Sequence, residues 1–146
     1  MEQLKSDIEQ IIKLAGFEDF SINFDDKNSR FAVFISDHQM SPRWLPNFVV
    51  NLDYLIRLMA MKRGATQSFS IDVNNYRRER EVLIIELAKG AAKKAATTKQ
   101  EISLPAMNAY ERRLIHMELA NHPDLKTESV GEGKGRYVII RLIENS

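Results

Sequence analysis

The sequence predicts an α+β protein of two small modules, residues 1–74 and residues 75–146. Three observations carry that prediction. Helical spacing and strand alternation interchange through the first half of the chain. Near Asn74 and Asn75 the pattern changes to a long amphipathic helix followed by short strands. No low-complexity linker and no internal repeat separates the halves, and 146 residues suffice for one ordinary domain or two very small ones.

The elements follow in order. "EQLKSDIEQIIKLAG" sets Leu4, Ile8, Ile11 and Ile12 at helical spacing and stops at Gly16. "FSINFDD" alternates with Phe20, Ile22 and Phe24 on one side, and "RFAVFISD" returns with Phe31, Val33 and Ile35. "DDKNS" between them supplies turn chemistry, so the pair reads as a β-hairpin. A helical run from about Leu45 to Lys62 ends at Gly64, and "QSFSIDV" places Phe69, Ile71 and Val73 on a third strand. This order gives a sheet covered by helices on one side.

The second module opens with "YRREREVLIIELAKGAAKKAATTKQ", a helix expected to turn Val82, Ile85, Leu87 and Ala92 toward a core. The dipole of that helix favours Lys93, Lys94 and Lys99 at its C-terminal end. "EISL" is a short strand broken by Pro105, a further helix follows, and "LKTESVGEGKGRYVIIRL" closes as a hairpin with Val138, Ile140 and Leu142 alternating.

Composition narrows the function. Hydrophobic residues make up 44% and charged residues 28%, a globular profile, and the formal net charge is +1. A basic surface must therefore come from uneven distribution. The chain has no Cys, which excludes disulfides and thiol chemistry and suits a reducing cytoplasm. The opening Met-Glu-Gln-Leu-Lys lacks the features of a signal peptide. The richest apolar run, "FVVNLDYLIRLMAMK", is interrupted by Asn51, Asp53 and Arg57, so no membrane insertion is expected.

Several sites fail on inspection. "GEGKGR" has the glycines and lysine of a phosphate loop, but Gly135 follows Lys134 where Ser or Thr is needed, and the segment runs into a strand. A glycine-rich hairpin turn is the better reading. His38, His116 and His122 show no i, i+4 pairing, so no metal or other cofactor is expected. No nucleophile elbow or Cys/His pair is present, and an enzyme is not the leading class.

One helix carries more information. In "AYERRLIHMELANHP", Arg112 and His116 stand four residues apart, only roughly 40° around a helix axis, on an otherwise apolar segment. Such a cationic pair needs a partner, either a carboxylate inside the protein or a phosphate outside it. Met107, Tyr110, Leu114 and Met117 form one stripe, expected to be core.

"LPAMNAYERRLIHMELANHPDLKTESVGEGKGRYVIIRL" resembles the Arg-x-x-x-His domain, a single-stranded nucleic-acid binder named for that signature. Before it, "IDVNNYRRERE" resembles the segment joining a KH domain to this domain in the bacterial Jag (KhpB) family, and the first half fits a KH domain in element order. The resemblance makes Arg112 and His116 the signature pair of the binding face. Arg offers a planar fork of donors for phosphate oxygens, and His can donate to phosphate or stack on a base. Arg113 adjoins the pair, and Lys126, Lys134, Arg136 and Arg141 lie on or beside the hairpin, although each also reads as a solvated surface charge.

The resemblance further implies RNA rather than DNA as the single-stranded ligand, and a cytoplasmic, non-catalytic regulatory role connected with cell envelope growth. It also implies KH-mediated pairing, as a homodimer or with a small KH-domain protein. A second reading makes the chain a protein-interaction scaffold without nucleic-acid binding. The sequence departs from the family in two places. The GxxG loop, whose glycines allow close approach of the nucleic-acid backbone, falls here on Arg43-Trp44-Leu45-Pro46. Trp44 is expected to anchor on the fold or at a dimer interface, the alternative being an ionic and stacking contact through Arg43 and Trp44. The sequence also begins at the KH-like part, where the family carries an additional N-terminal domain.

Overall fold

Alternating apolar residues and well-spaced turn signals produce strands and helices close to the expected places. A computed structural model describes residues 1–38 and 40–143. Its elements are α1 (Glu2–Leu14), β1 (Phe20–Asp25), β2 (Arg30–Ile35), α2 (Leu45–Lys62), β3 (Ser70–Val73) and α3 (Tyr76–Thr98). They continue with β4 (Ile102–Ser103), α4 (Ala109–Leu119), β5 (Leu125–Val130) and β6 (Tyr137–Leu142). A single 3-10 turn, Gly133–Gly135, lies between the last two strands. The class is α+β, and the chain divides into two units between Arg78 and Glu79, within the first turn of α3.

In the first unit β1 and β2 are antiparallel, and β3 joins β2 in parallel after the α2 crossover. The register sets Ile22 opposite Val33 and Phe31 beside Ile71, so these side chains share one face. Leu4, Ile8 and Ile12 of α1 and Val49, Leu52, Ile56 and Ala60 of α2 complete a single buried core with them. Buried carboxylates tie the elements together. Asp53 Oδ1 on α2 accepts from the Ile71 N–H at 2.8 Å, which satisfies a backbone donor of β3, while its Oδ2 accepts from Arg57 at 2.7 Å. Asp7 on α1 pairs with Arg63 just beyond α2, and that guanidinium holds its carboxyl below the usual range.

The unit closes at two asparagines. Asn74 sits in the left-handed region (φ 51°), and its amide bonds both the N–H and the C=O of Ile35, standing in for a further strand residue. Asp72 accepts from the N–H groups of Arg77 and Arg78 at 2.7 and 3.0 Å, capping the start of α3. Tyr76 packs against the first core, so this unit reaches into the opening turn of α3.

In the second unit β6 lies between β4 and β5, antiparallel to both. Ile84, Ala88, Ala92 and Ala95 of α3 and Ile115 and Leu119 of α4 share a core with Leu125, Val138 and Ile140. The α3 face differs from the one expected. Val82 is 55% exposed and Leu87 38% exposed, whereas Ile84, Ala88, Ala91, Ala92 and Ala95 are buried. Apolar residues lie on several sides of this helix, and its buried stripe is made largely of alanines, which periodicity weighted by bulk overlooks. No described helix is long and apolar enough to cross a membrane.

Candidate nucleic-acid interface

The site is built on α4. Asn108 accepts from the Glu111 N–H at 2.8 Å, and the Glu111 carboxylate reaches back to the Asn108 N–H at 3.4 Å, a capping box that fixes where the helix begins. Glu111 Oε1 also accepts from Arg80 Nε on α3 at 2.7 Å. Glu111, Ile115 and Leu119, spaced by four, form the buried stripe of the helix. Arg112 and His116 each follow a member of that stripe by one residue. Both are therefore half-buried, at its edge rather than in open solvent.

The partner of Arg112 is not a carboxylate. Its Nη1 donates to the Met107 carbonyl at 2.9 Å, and among the described residues no acidic group lies within ion-pair distance of it. The same Met107 donates its N–H to the Arg136 carbonyl at 3.1 Å. The segment ahead of α4 thus joins Arg112 to the backbone that enters β6. A carbonyl satisfies one of the five N–H donors of a guanidinium and leaves its charge uncompensated.

His116 is engaged at both ring nitrogens. Nδ1 shares a hydrogen with Thr127 Oγ1 at 2.7 Å and Nε2 with Ser129 Oγ at 2.8 Å, both on β5. Burial and the neighbouring Arg112 cation hold its pKa below the ordinary imidazole value, so the ring is neutral at pH 7. His116 therefore carries no charge to a ligand in this state. It offers one ring edge to the two hydroxyls, with an N–H on one side and a lone pair on the other.

The hairpin sorts the remaining cations. Thr127 lies opposite Ile140 and Ser129 opposite Val138, on the face that α3 and α4 cover. Lys126 lies opposite Arg141 and Glu128 opposite Ile139, so by the pleat these belong to the other face. Arg141 there pairs with Glu128 at 3.1 Å. The glycine-rich loop, with Gly131 at φ 89° and Gly133 at φ 57°, turns back on itself tightly enough that a Cβ on Gly131 would stand 3.3 Å from the Gly135 carbonyl. Lys134 is exposed in that loop, and Arg136, also exposed, leaves it beside Met107. Arg112 and His116 are thus neighbours, and the Arg136 backbone is linked to Arg112 through Met107. Arg113 is exposed on the adjacent side of α4, and Lys126 and Arg141 are turned away.

Tyr110 and Met117, expected in the core, are instead 52% and 63% exposed, and the Tyr110 hydroxyl donates to Glu81 at 2.7 Å. Their stripe lies about a third of a turn from the buried one. Thr127 and Ser129 escape a reading of the sequence, although a signal exists. Thr-x-Ser alternates on a strand whose same-face neighbours, Leu125, Val138 and Ile140, are apolar. Polar groups in such a setting need partners.

In the first unit, Trp44 precedes α2 and packs on Phe17 (centroids 6.1 Å apart) and edge-on against Phe48 (5.9 Å). The indole is an anchor of the fold, 37% exposed.

Residues 82–142 match the R-three-H domain, the module named for an Arg-x-x-x-His signature such as Arg112 and His116 form. The chain is similar to RNA-binding protein KhpB of Clostridium symbiosum, 41% identical over 93 residues, covering 63% of this chain and 42% of that protein. It is 38% identical over 80 residues to RNA-binding protein KhpB of Bacillus subtilis, covering 53% of this chain and 38% of that one. With RNA-binding protein KhpB of Lactiplantibacillus plantarum the identity is 35% over 72 residues, 49% of this chain and 22% of that protein. The matched stretch is thus less than half the length of each of these relatives. The chain is similar to the KhpB proteins over part of its length, and residues 82–142 match the R-three-H domain.

Proposed function

We propose that this chain binds single-stranded RNA in the cytoplasm without catalysis, through the face of the second unit that holds Arg112, His116 and Arg136, with Arg113 and Lys134 at its margin. The observation that carries this reading is Arg112. A half-buried guanidinium with a single backbone acceptor and no carboxylate at hand leaves four donors for phosphate oxygens. The similarity to proteins named RNA-binding protein KhpB favours RNA over DNA. The test is a titration of the full chain into a fluorescently labelled single-stranded RNA at moderate salt. Saturable binding that is lost on raising the salt is expected; no saturable binding would favour an interaction scaffold.

A second surface supports self-association of the first unit, which we read as a KH-like module lacking GxxG. Val50, Tyr54, Leu58 and Met61 follow each other at helical spacing along α2 and are 56%, 64%, 44% and 69% exposed. We propose that a second copy of the chain covers this stripe. Sedimentation should show a dimer that Tyr54→Glu dissociates; a monomer at all concentrations would leave a separate small KH-domain chain as the partner to test.

A further inference from the structure

The Arg-x-x-x-His signature gives His116 a place in the binding face but says nothing of the two hydroxyls it holds. We propose that Thr127 and Ser129 are themselves phosphate-binding groups, that His116 sets their hydrogen-bond polarity, and that taking up a phosphodiester is coupled to taking up a proton on His116. The proposal rests on the single-strand-binding reading above and assigns the atoms and the regulation of that site.

Hydrogens at this site can be counted. A neutral imidazole carries one N–H and one lone pair, so of two hydroxyls bonded to its two nitrogens one must accept and the other must donate. The hydroxyl that accepts keeps its own O–H free for a ligand. The hydroxyl that donates has used its only hydrogen and presents lone pairs alone, which repel a phosphate oxygen. The neutral site is thus a mixed pair, one donor and one acceptor. When the ring is charged, both nitrogens donate, both hydroxyls accept, and both O–H groups are free. The site becomes two outward donors two residues apart on β5, roughly 6–7 Å along the strand, beside the Arg112 guanidinium.

The groups facing His116 set the direction of the coupling. From its own helix it meets the Arg112 cation. From β5 it meets Thr127 and Ser129, and opposite these on β6 stand Ile140 and Val138. On α3, Arg80 is paired with Glu111 and Lys89 with Glu118. Among the described residues no carboxylate lies within ion-pair distance of the ring, so without ligand no anion offsets the burial and the Arg112 cation that disfavour the charged form. A phosphodiester would supply the missing anion. By linkage the proton then strengthens phosphate binding by the factor with which phosphate strengthens proton binding. Thr127 and Ser129 are half-buried, so a ligand at the rim can reach them without unfolding the hairpin.

The test uses the full chain and an unstructured single-stranded RNA of about 12 nucleotides, a length within ordinary single-strand site sizes. Affinity measured from about pH 8 to about pH 5.5 at constant ionic strength should rise as pH falls, by up to about one decade per pH unit between the bound and free pKa values of His116. NMR titration of the imidazole needs no mutation and should show the His116 pKa rising when RNA is added. The double variant Thr127→Val, Ser129→Ala should flatten the pH profile and weaken binding several-fold at low pH while Arg112-dependent salt sensitivity remains. Saturable binding with a flat pH profile, or a His116 pKa that falls or stays fixed on adding RNA, would overturn this proposal and leave the single-strand-binding reading standing. Absence of any binding would overturn both.

Discussion

Arg112 Nη1 donates to the carbonyl of Met107 at 2.9 Å, and this bond fixes a cation at the rim of the second unit without neutralising it. A buried ion pair would have made Arg112 a structural residue whose removal strands a carboxylate. A backbone acceptor does the opposite: it orients the guanidinium and leaves the charge for something outside the fold. The orientation is itself anchored, because Met107 is bonded to Arg136 at the start of the last strand.

Arg80 and Glu111 carry the structural ion pair of this unit instead. Arg80→Ala leaves a largely buried carboxylate with only its capping role, and should cost about 1–3 kcal/mol of stability. Urea unfolding of the variant measures that loss, and the salt dependence of RNA binding should stay as in the parent chain.

His116 should make the fold sensitive to acid. Its folded-state pKa lies below the ordinary value of 6.5, so the unfolded chain binds the proton more readily. The stability contributed by the neutral ring is therefore complete above that value and is lost as pH falls through it toward the folded pKa. The melting temperature of the RNA-free chain should drop between about pH 7.5 and about pH 5.5, and His116→Gln should remove most of that part of the drop. A drop of equal size in the variant would assign it to other groups.

The two faces of the hairpin should be unequal in binding. Lys126→Ala with Arg141→Ala changes the face opposite His116 and also breaks the Arg141–Glu128 pair, so affinity for RNA should fall less than in Arg136→Ala. An equal or larger fall, read by the same fluorescence titration, would mean that the strand wraps both faces.

Trp44 should matter to folding and not to RNA. Removing an indole packed on Phe17 and Phe48 but partly exposed should cost about 1–3 kcal/mol in the first unit. Trp44→Ala should leave affinity unchanged within about twofold, an energy well below one stacked base.

Much of this arrangement is legible in the residues, and the gaps have physical causes. Phe31, Val33 and Ile35 recur at every second position, so β2 and its buried face can be read directly even though Phe34 on the other face is also apolar. On α3 and α4 apolar residues occur on more than one side, and only the fold decides which side is covered. Val82, Leu87, Tyr110 and Met117 are expected inward for that reason and are exposed. The Arg112/His116 pair is legible as a shared face, but its partners are not. A backbone carbonyl leaves no mark in a sequence, and two hydroxyls on a strand gain meaning only once the register brings them to the imidazole. The separation of Lys126 and Arg141 from Arg112 is likewise a matter of pleat parity, fixed by pairing that composition does not contain.

Whether Arg112 faces a phosphate or serves the fold is read most directly from the salt dependence of RNA binding in Arg112→Ala. On single strands each phosphate contact contributes roughly 0.7 to the slope of log affinity against log salt. The variant should bind unrelated RNA sequences more weakly by similar factors, with the slope shallower by about one contact, and should lose only about 1 kcal/mol of stability, the net value of one hydrogen bond. An unchanged slope together with a stability loss of several kcal/mol would contradict the phosphate role and make Arg112 a structural residue.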